Sequence, residues 1–482
     1  MEKEFILTHK LLTLLDSEYR WFTLAEIEEQ IGVSDKTIRK IIDEAKQELP
    51  PSIHFEISRG KGVILHYDKR NVAIGEVISS MYRQRTFYQL LAVLFAEGGR
   101  YSLEELADKL YISSSSLKKL IIRLNNHELK PYHLRIAYSM PEVKGSEISI
   151  RYFYWKLFYD AYEFSGWPFA DIDQAQIHEY ITAIESENDI VYFLNAKRSL
   201  SFLAAIMITR VLQGKYADVP SGPYDWENHM LHASVAALAR ALEQRYAIHL
   251  PLDEIRFLQA MFLGQYNYYD EAKVSAMISR EKANLVQIGE EKYQLLNHFL
   301  MLALAAFPAI EMNDRFIWEI GDFFEKLRLE NALPDLIAIS ASGLTEYVQR
   351  DCRPMYQIVK SCMQEWSQRY PGIQYNDYHL TKLTLLISSS LRYNSKKAFL
   401  LIGEEFSIRH YVAKLIKNEI GDELIINTSI MEGLTDEMIQ KHGIDFVIST
   451  FPVELHTVPV VIISTIPTKR DLENIRKELM QP

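Results

Sequence analysis

Two stretches near the N-terminus carry the same pattern of apolar and polar positions. TLAEIEEQIGVSDKTIRKII, from Thr23 to Ile42, and SLEELADKLYISSSSLKKLI, from Ser102 to Ile121, align without a gap. Apolar residues recur at Leu24, Ile27, Ile31, Val33, Ile38 and Ile41, and at Leu103, Leu106, Leu110, Ile112, Leu117 and Leu120. This is helical spacing with one interruption. Thr23 and Ser102, followed three residues later by Glu26 and Glu105, predict capping boxes at the first helix of each copy. The interruption falls at Gly32-Val33-Ser34 and at Tyr111-Ile112-Ser113, where a turn and a new cap start a second helix.

Two short helices joined by a tight turn, the second opening on polar residues and bearing cations, is the helix-turn-helix pattern, whose second helix reads the major groove. The outward set is Ser34, Asp35, Lys36, Thr37, Arg39 and Lys40 in the first copy, and Ser114, Ser115, Ser116, Lys118, Lys119 and Arg123 in the second. Hydroxyls near the helix start can bond phosphates or base edges, and Lys or Arg one turn later can reach phosphate or guanine. For a single copy, a solvated face in a small bundle explains the pattern equally well. Duplication favours the nucleic-acid reading.

Each copy is followed by a segment that alternates in period 2. Ile53 to Tyr67 turns around Arg59-Gly60-Lys61-Gly62, and Leu134 to Tyr152 carries Lys144-Gly145 near its bend. Both predict strand pairs, or wings, with Arg59, Lys61 and Lys144 as phosphate or minor-groove contacts. An ordinary exposed hairpin is the plain alternative.

Beyond residue 163 the pattern is dominated by helical periodicity. Four amphipathic segments, AKRSLSFLAAIMITRVLQG, LDEIRFLQAMFLGQY, EKYQLLNHFLMLALAAF and NDYHLTKLTLLISSSLRY, resemble one another first to third and second to fourth. They predict a duplicated helical domain. From Lys396, four short apolar strands alternate with helices, the mark of a small parallel sheet. The expected fold is therefore mainly α and multidomain, in five parts: winged helix-turn-helix 1 over 1–68 and 2 over 69–163, helical domains over 164–282 and 283–395, and an α/β domain over 396–482.

Charge changes the picture once it is divided. The chain of 482 residues carries a formal net charge of −11, which by itself repels nucleic acid. Residues 1–160, however, hold 23 Lys and Arg against 22 Asp and Glu, so the acidic excess lies beyond them. A near-neutral head on an acidic body suits a DNA-reading regulator. Only two cysteines, Cys352 and Cys362, occur, which excludes a disulfide framework and points to a reducing compartment. The N-terminus does not read as a signal peptide, and no apolar run reaches membrane-spanning length. A cytoplasmic protein with no membrane partner is expected. The first loop of the α/β tail, Gly403-Glu404-Glu405, has neither a phosphate-binding glycine motif nor a nucleophile, and His410 is the nearest titratable candidate. No enzyme activity, cofactor or metal is expected.

The order of parts, with the duplicated helix-turn-helix, resembles the Mga/AtxA family of regulators of Gram-positive bacteria over essentially the entire chain. The resemblance implies a DNA-binding transcriptional regulator, generally an activator of global or virulence genes. It also implies helical regulation domains of the phosphoenolpyruvate-dependent phosphotransferase system, a tail similar to an enzyme IIB domain, and assembly into a homodimer or higher oligomer. Double-stranded DNA and the phosphocarrier protein of that system are the implied partners. In the family's pattern of phospho-accepting histidines, Leu203 and Met261 stand at the acceptor places of the first regulation domain. The second retains His298, with Ala305 where an arginine is expected, and has Thr384 at the other place with His379 five residues earlier. His298 and His379 are thus the phosphorylation candidates; a packed histidine is the alternative for His298. A sugar-responsive RNA-binding antiterminator is the competing function, and phosphoryl transfer by the tail a third.

Overall fold

The capping residues start their helices as the spacing predicts. In the computed structural model, which describes residues 3–162, 166–220, 224–227, 229, 231–265, 267–268, 290–333, 343–391, 396–403, 406–421, 423–428 and 435–479, Thr23 Oγ1 accepts from the Glu26 backbone N–H at 3.2 Å. Glu26 Oε2 accepts from the Thr23 N–H at 2.7 Å. Ser102 and Glu105 repeat the exchange at 3.3 and 2.8 Å. Two donors orphaned at each helix start are satisfied this way.

The first repeat comprises α1 (Lys3–Ser17), α2 (Leu24–Ile31), α3 (Asp35–Glu48), and the antiparallel strands β1 (His54–Ser58) and β2 (Gly62–His66). Its core is the predicted apolar stripe: Ile27 and Ile31 of α2 and Ile38, Ile41 and Ile42 of α3 pack with Leu11, Leu12 and Leu15 of α1 and with Phe55, Val63 and Leu65 of the hairpin. Phe22 adds a bridge to the hairpin, exchanging backbone hydrogen bonds with Val63 at 2.8 Å in each direction. Gly62, at φ +104°, sits so close to that bridge that a Cβ would stand 1.9 Å from the Phe22 carbonyl oxygen.

After α4 (Ile74–Gln84) the plan recurs as α5 (Thr86–Glu97), α6 (Leu103–Lys109), α7 (Ser114–Asn126), β3 (Arg135–Ile136) and β4 (Val143–Lys144). This second wing is shorter than predicted. Residues from Glu147 onward form α8 (Glu147–Ala161), capped by Ser146, and not the second strand that their alternation suggests. The reason is burial: Ile148, Ser149, Ile150 and Arg151 are all buried, so the element is enclosed on every side and its polarity does not report its period.

An unbroken apolar core continues from Phe87 through α8, α9 (Gln174–Asn188), α10 (Leu194–Leu212), α11 (His232–Tyr246) and α12 (Leu252–Gly264) to Phe262. β5 (Val191–Tyr192) pairs with β6 (Asn267–Tyr268) at its edge. The helices Glu290–Ala306, Asp314–Ala332, Gly343–Asp351, Arg353–Arg369 and Asp377–Ser390 follow, with Phe299, Phe316, Ile320, Phe324, Trp366 and Leu383 buried. The chain is mainly helical.

By contacts, residues 1–303 with 313–386 form one unit and residues 304–312 with 387–482 another. The second unit holds the parallel sheet that the βαβ alternation predicts: β7 (Lys396–Leu401), β8 (Leu424–Asn427), β9 (Phe446–Ser449) and β10 (Val460–Ile462), in the spatial order β8-β7-β9-β10. Successive side chains of β7 face opposite sides. Ala398 and Leu400 pack with Val412, Ile416, Leu472 and Ile475, while Phe399 packs with Ile439, Ile444 and Val447. Glu404 and Glu405 of the first loop lie outside the described residues.

Candidate nucleic-acid interface

α3 buries Ile38, Ile41, Ile42 and Ala45, which turns Lys36, Arg39 and Lys40 outward. Ser34 precedes the helix in extended conformation, exposed, with its hydroxyl 3.1 Å from that of Thr37. Asp35 and Thr37 are half-buried, not exposed as their positions suggest; the Asp35 N–H donates to Glu28 of α2, tying the helix pair together. Arg39 pairs with Asp35 at 2.7 Å, and Lys40 with Glu4 at 2.9 Å and Glu44 at 3.2 Å. Exposed pairs of this kind are worth at most about 1 kcal/mol, so either cation can exchange its carboxylate for a phosphate. Lys36 is exposed without a partner among the described residues. At the hairpin turn Arg59 is exposed and Lys61 lies over the Trp21 ring, 5.6 Å from its centroid.

On α7, Leu117, Ile121 and Leu124 face inward. Ser113 caps the helix, accepting from the Ser116 N–H at 3.1 Å, and its hydroxyl meets those of Ser115 and Ser116 at 3.0 and 2.8 Å. Ser115, Ser116, Lys118 and Lys119 are exposed, and the two lysines have no partner among the described residues. Ser114 is half-buried. Arg123 differs from the expected outward residue: it too is half-buried, with Nε and Nη2 shielded from solvent and unbonded.

Lys144 is not at the wing's bend. It lies in β4, exposed, and is paired with Glu142, which also meets Lys215 at 3.0 Å. Together these hold the Glu142 carboxyl below the usual glutamate range, against its partial burial. The tip is instead Tyr138-Ser139-Met140, all exposed. Residue-type reasoning passes over this tip and over exposed Arg135 because it looks for cations near glycine. The signal is two large apolar side chains, Tyr138 and Met140, flanking Ser139 just before Pro141.

A buried charged cluster stands behind this second unit. Arg151 of α8, fully buried, donates to both oxygens of Glu254 on α12 at 2.7 and 2.8 Å and to Glu147 at 3.0 Å. Arg210 of α10 also holds Glu147, at 2.8 and 2.7 Å. Burial opposes the Arg210 charge, and the bonds to Glu147 outweigh it, leaving the guanidinium pKa raised. Two cations and two anions cancel, which makes their burial tolerable. Gln213, three residues beyond Arg210, donates to the Phe95 carbonyl at 2.9 Å, closing the end of α5.

The two candidate histidines stand in unlike surroundings. His298 is half-buried, its ring edge-on to Tyr370 at 5.8 Å and its Nδ1 shielded and unbonded. His379 is 2 % exposed, with Nδ1 accepting from the Asn376 N–H at 3.0 Å and Nε2 2.7 Å from Glu330. An Nδ1 that accepts leaves the proton on Nε2, so neither nitrogen is free to attack a phosphoryl group. Leu203, Met261 and Thr384 are buried, and Ala305 is exposed. His410 is exposed on the helix Phe406–Ile420. Cys352 and Cys362 are both unbridged. Among the described residues no cluster of potential metal ligands occurs, and no helix is long and apolar enough to cross a membrane.

Comparison with known proteins matches these elements to two helix-turn-helix domain models. Residues 2–61 match the M protein trans-acting positive regulator (MGA) helix-turn-helix domain, and residues 70–158 match the Mga helix-turn-helix domain. The first match holds α1 to α3 with β1 and the hairpin turn and ends just before β2, and the second runs from before α4 into α8. Along nearly its whole length the chain is similar to three proteins of Bacillus anthracis. It is 27% identical to the capsule synthesis positive regulator AcpB, over 99% of this chain and 98% of the relative. To the capsule synthesis positive regulator AcpA it is 26% identical, over 98% and 99%. To the anthrax toxin expression trans-acting positive regulator it is 24% identical, over 99% and 98%. With both helix-turn-helix models matched in order and relatives aligned end to end, the chain is similar along its length to regulators of the Mga/AtxA type.

Proposed function

We propose that this protein is a transcriptional activator that binds double-stranded DNA through α3 and α7, aided by its two hairpins. The observation that carries the proposal is a second helix in each unit whose inner face is used by the core and whose outer face presents Lys36, or Lys118 and Lys119, with no carboxylate paired to them among the described residues. Cations so placed gain by replacing counterions along a phosphate backbone. Ser34, Asp35, Thr37, Arg39 and Lys40, with Ser114, Ser115, Ser116 and Arg123, complete the proposed surface; Arg59, Lys61 and Lys144 extend it along the wings. The names of the relatives, each a positive regulator, support the direction of control. Competition binding tests the reading: duplex DNA is expected to displace labelled duplex far better than hairpin RNA does, and equal displacement overturns it.

The division at 68, 163, 282 and 395 is proposed as the functional one, with self-association through the acidic body and tail. The sheet order β8-β7-β9-β10 supports an enzyme IIB-like tail. Regulation by the phosphocarrier protein is assigned to His298, because its Nδ1 lacks a partner while both nitrogens of His379 are engaged. Added phosphate charge there would alter packing around Tyr370. Mass spectrometry after incubation with the phosphocarrier system is expected to find label at His298 and none in His298→Ala; absence of label in the wild-type chain removes this assignment.

A further inference from the structure

The two hairpins differ at their tips. The first presents Arg59 and Lys61 around Gly60. In the second, the Ala137 N–H donates to the Glu142 carbonyl at 3.0 Å and closes a turn whose outermost residues, Tyr138, Ser139 and Met140, include no cation. Tyr138 is 47% exposed and Met140 45%. Single apolar residues on a surface are ordinary. Two on one turn, each about half exposed, form a small apolar point.

That point is braced from behind. Asn125 of α7 clamps Ile136, donating to its carbonyl at 3.2 Å and accepting its N–H at 2.7 Å. Gly99 donates to the Pro141 carbonyl at 3.0 Å, and Glu142 is held by Lys144 and Lys215. The turn is therefore fixed to the helix proposed to enter the major groove. At its base Arg135 is exposed without a partner among the described residues, opposite Lys144 in the register of β3 and β4. The exposed N-terminal half of α7 offers Ser and Lys, and no Arg, Asn or Gln for bidentate base contacts.

We propose that the second hairpin is a wedge: Tyr138 and Met140 enter the minor groove of duplex DNA and part a flexible pyrimidine–purine step, while Arg135 takes a flanking phosphate. The proposal rests on the duplex-binding reading above and names the means of recognition. A surface poor in base-reading side chains gains sequence preference from the cost of deforming DNA, and apolar wedges collect that preference where a step unstacks easily. Aromatic stacking on the exposed base offsets part of the cost.

The test uses the full-length protein with duplexes of about 30 base pairs, one carrying 2-aminopurine beside a central TA step and one a central A-tract, each with a dye at either end. The wild-type chain is expected to raise 2-aminopurine emission, draw the ends together, and bind the TA duplex about tenfold more tightly than the A-tract duplex. Tyr138→Ala with Met140→Ala should lose all three effects and keep the A-tract affinity; Tyr138→Phe with Met140→Leu should restore them. A wild-type complex with neither unstacking nor bending overturns the wedge, as does an alanine pair that retains both. Lys118→Ala with Lys119→Ala separates the two readings: it should weaken both duplexes alike and leave their ratio. If the wild-type chain binds neither duplex, the DNA reading fails and the wedge with it.

Discussion

Gly62 is the residue whose side chain, hydrogen, is fixed by geometry most tightly. At φ +104° it occupies a region that L side chains avoid, and the Phe22 carbonyl fills the place of a Cβ. Gly62→Ala must break the Phe22–Val63 bridge or move the hairpin. A loss of about 3 kcal/mol in chemical denaturation is expected; a change below about 0.5 kcal/mol would mean the bridge does not form. The capping glutamates give a second prediction. The Thr23 N–H and hydroxyl hold the Glu26 carboxyl below its usual value of 4.5, with Arg20 adding to them, and Ser102 does the same for Glu105. A carboxyl with a lowered folded pKa contributes stability that is present above the unfolded value and lost as pH falls through the folded one. Thermal unfolding should therefore show the caps weakening as pH drops below 4.5. Glu26→Gln with Glu105→Gln should flatten that acid limb; an unchanged limb would show that the caps do not titrate with folding.

At the scale of elements, the helix pairs could be read from residues alone because each is an isolated amphipathic unit with its own start signal. Thr23, Glu26, Ser102 and Glu105 fix boundaries, and Gly32 in the left-handed region closes α2. Tyr111 takes the same conformation at φ 54° without glycine's freedom, a departure that the alignment of the two copies locates and does not explain. The parallel sheet was equally readable, since four short apolar runs alternate with helices. α8 was not. Ile148, Ile150 and Tyr152 alternate with Ser149 and Arg151 as a half-buried strand would, but Arg151 turns into the core against Glu254 rather than toward water. A sequence does not carry the partner of a buried charge 103 positions away. The same limit hides the wing tip, where the exposure of Tyr138 and Met140 depends on strands only two residues long.

Across the whole molecule, the second helix-turn-helix unit and the helices that follow share one core, and the Glu147–Arg151–Arg210–Glu254 cluster locks α8, α10 and α12 within it. Removing one member strands a buried charge. Glu254→Ala should cost about 3–5 kcal/mol in chemical denaturation, and a cost under about 1 kcal/mol would mean that water reaches Arg151. Because Glu147 opens α8 directly after the second wing, loss of this cluster should also reduce DNA binding through the second unit. The most direct measurement of the molecule's function is the salt dependence of affinity for duplex DNA. Lys118→Ala with Lys119→Ala should weaken binding to many sequences alike and reduce the slope of log affinity against log salt by about one per lysine; a wild-type slope near zero, or a slope unchanged by both substitutions, would contradict α7 as a DNA-contacting helix.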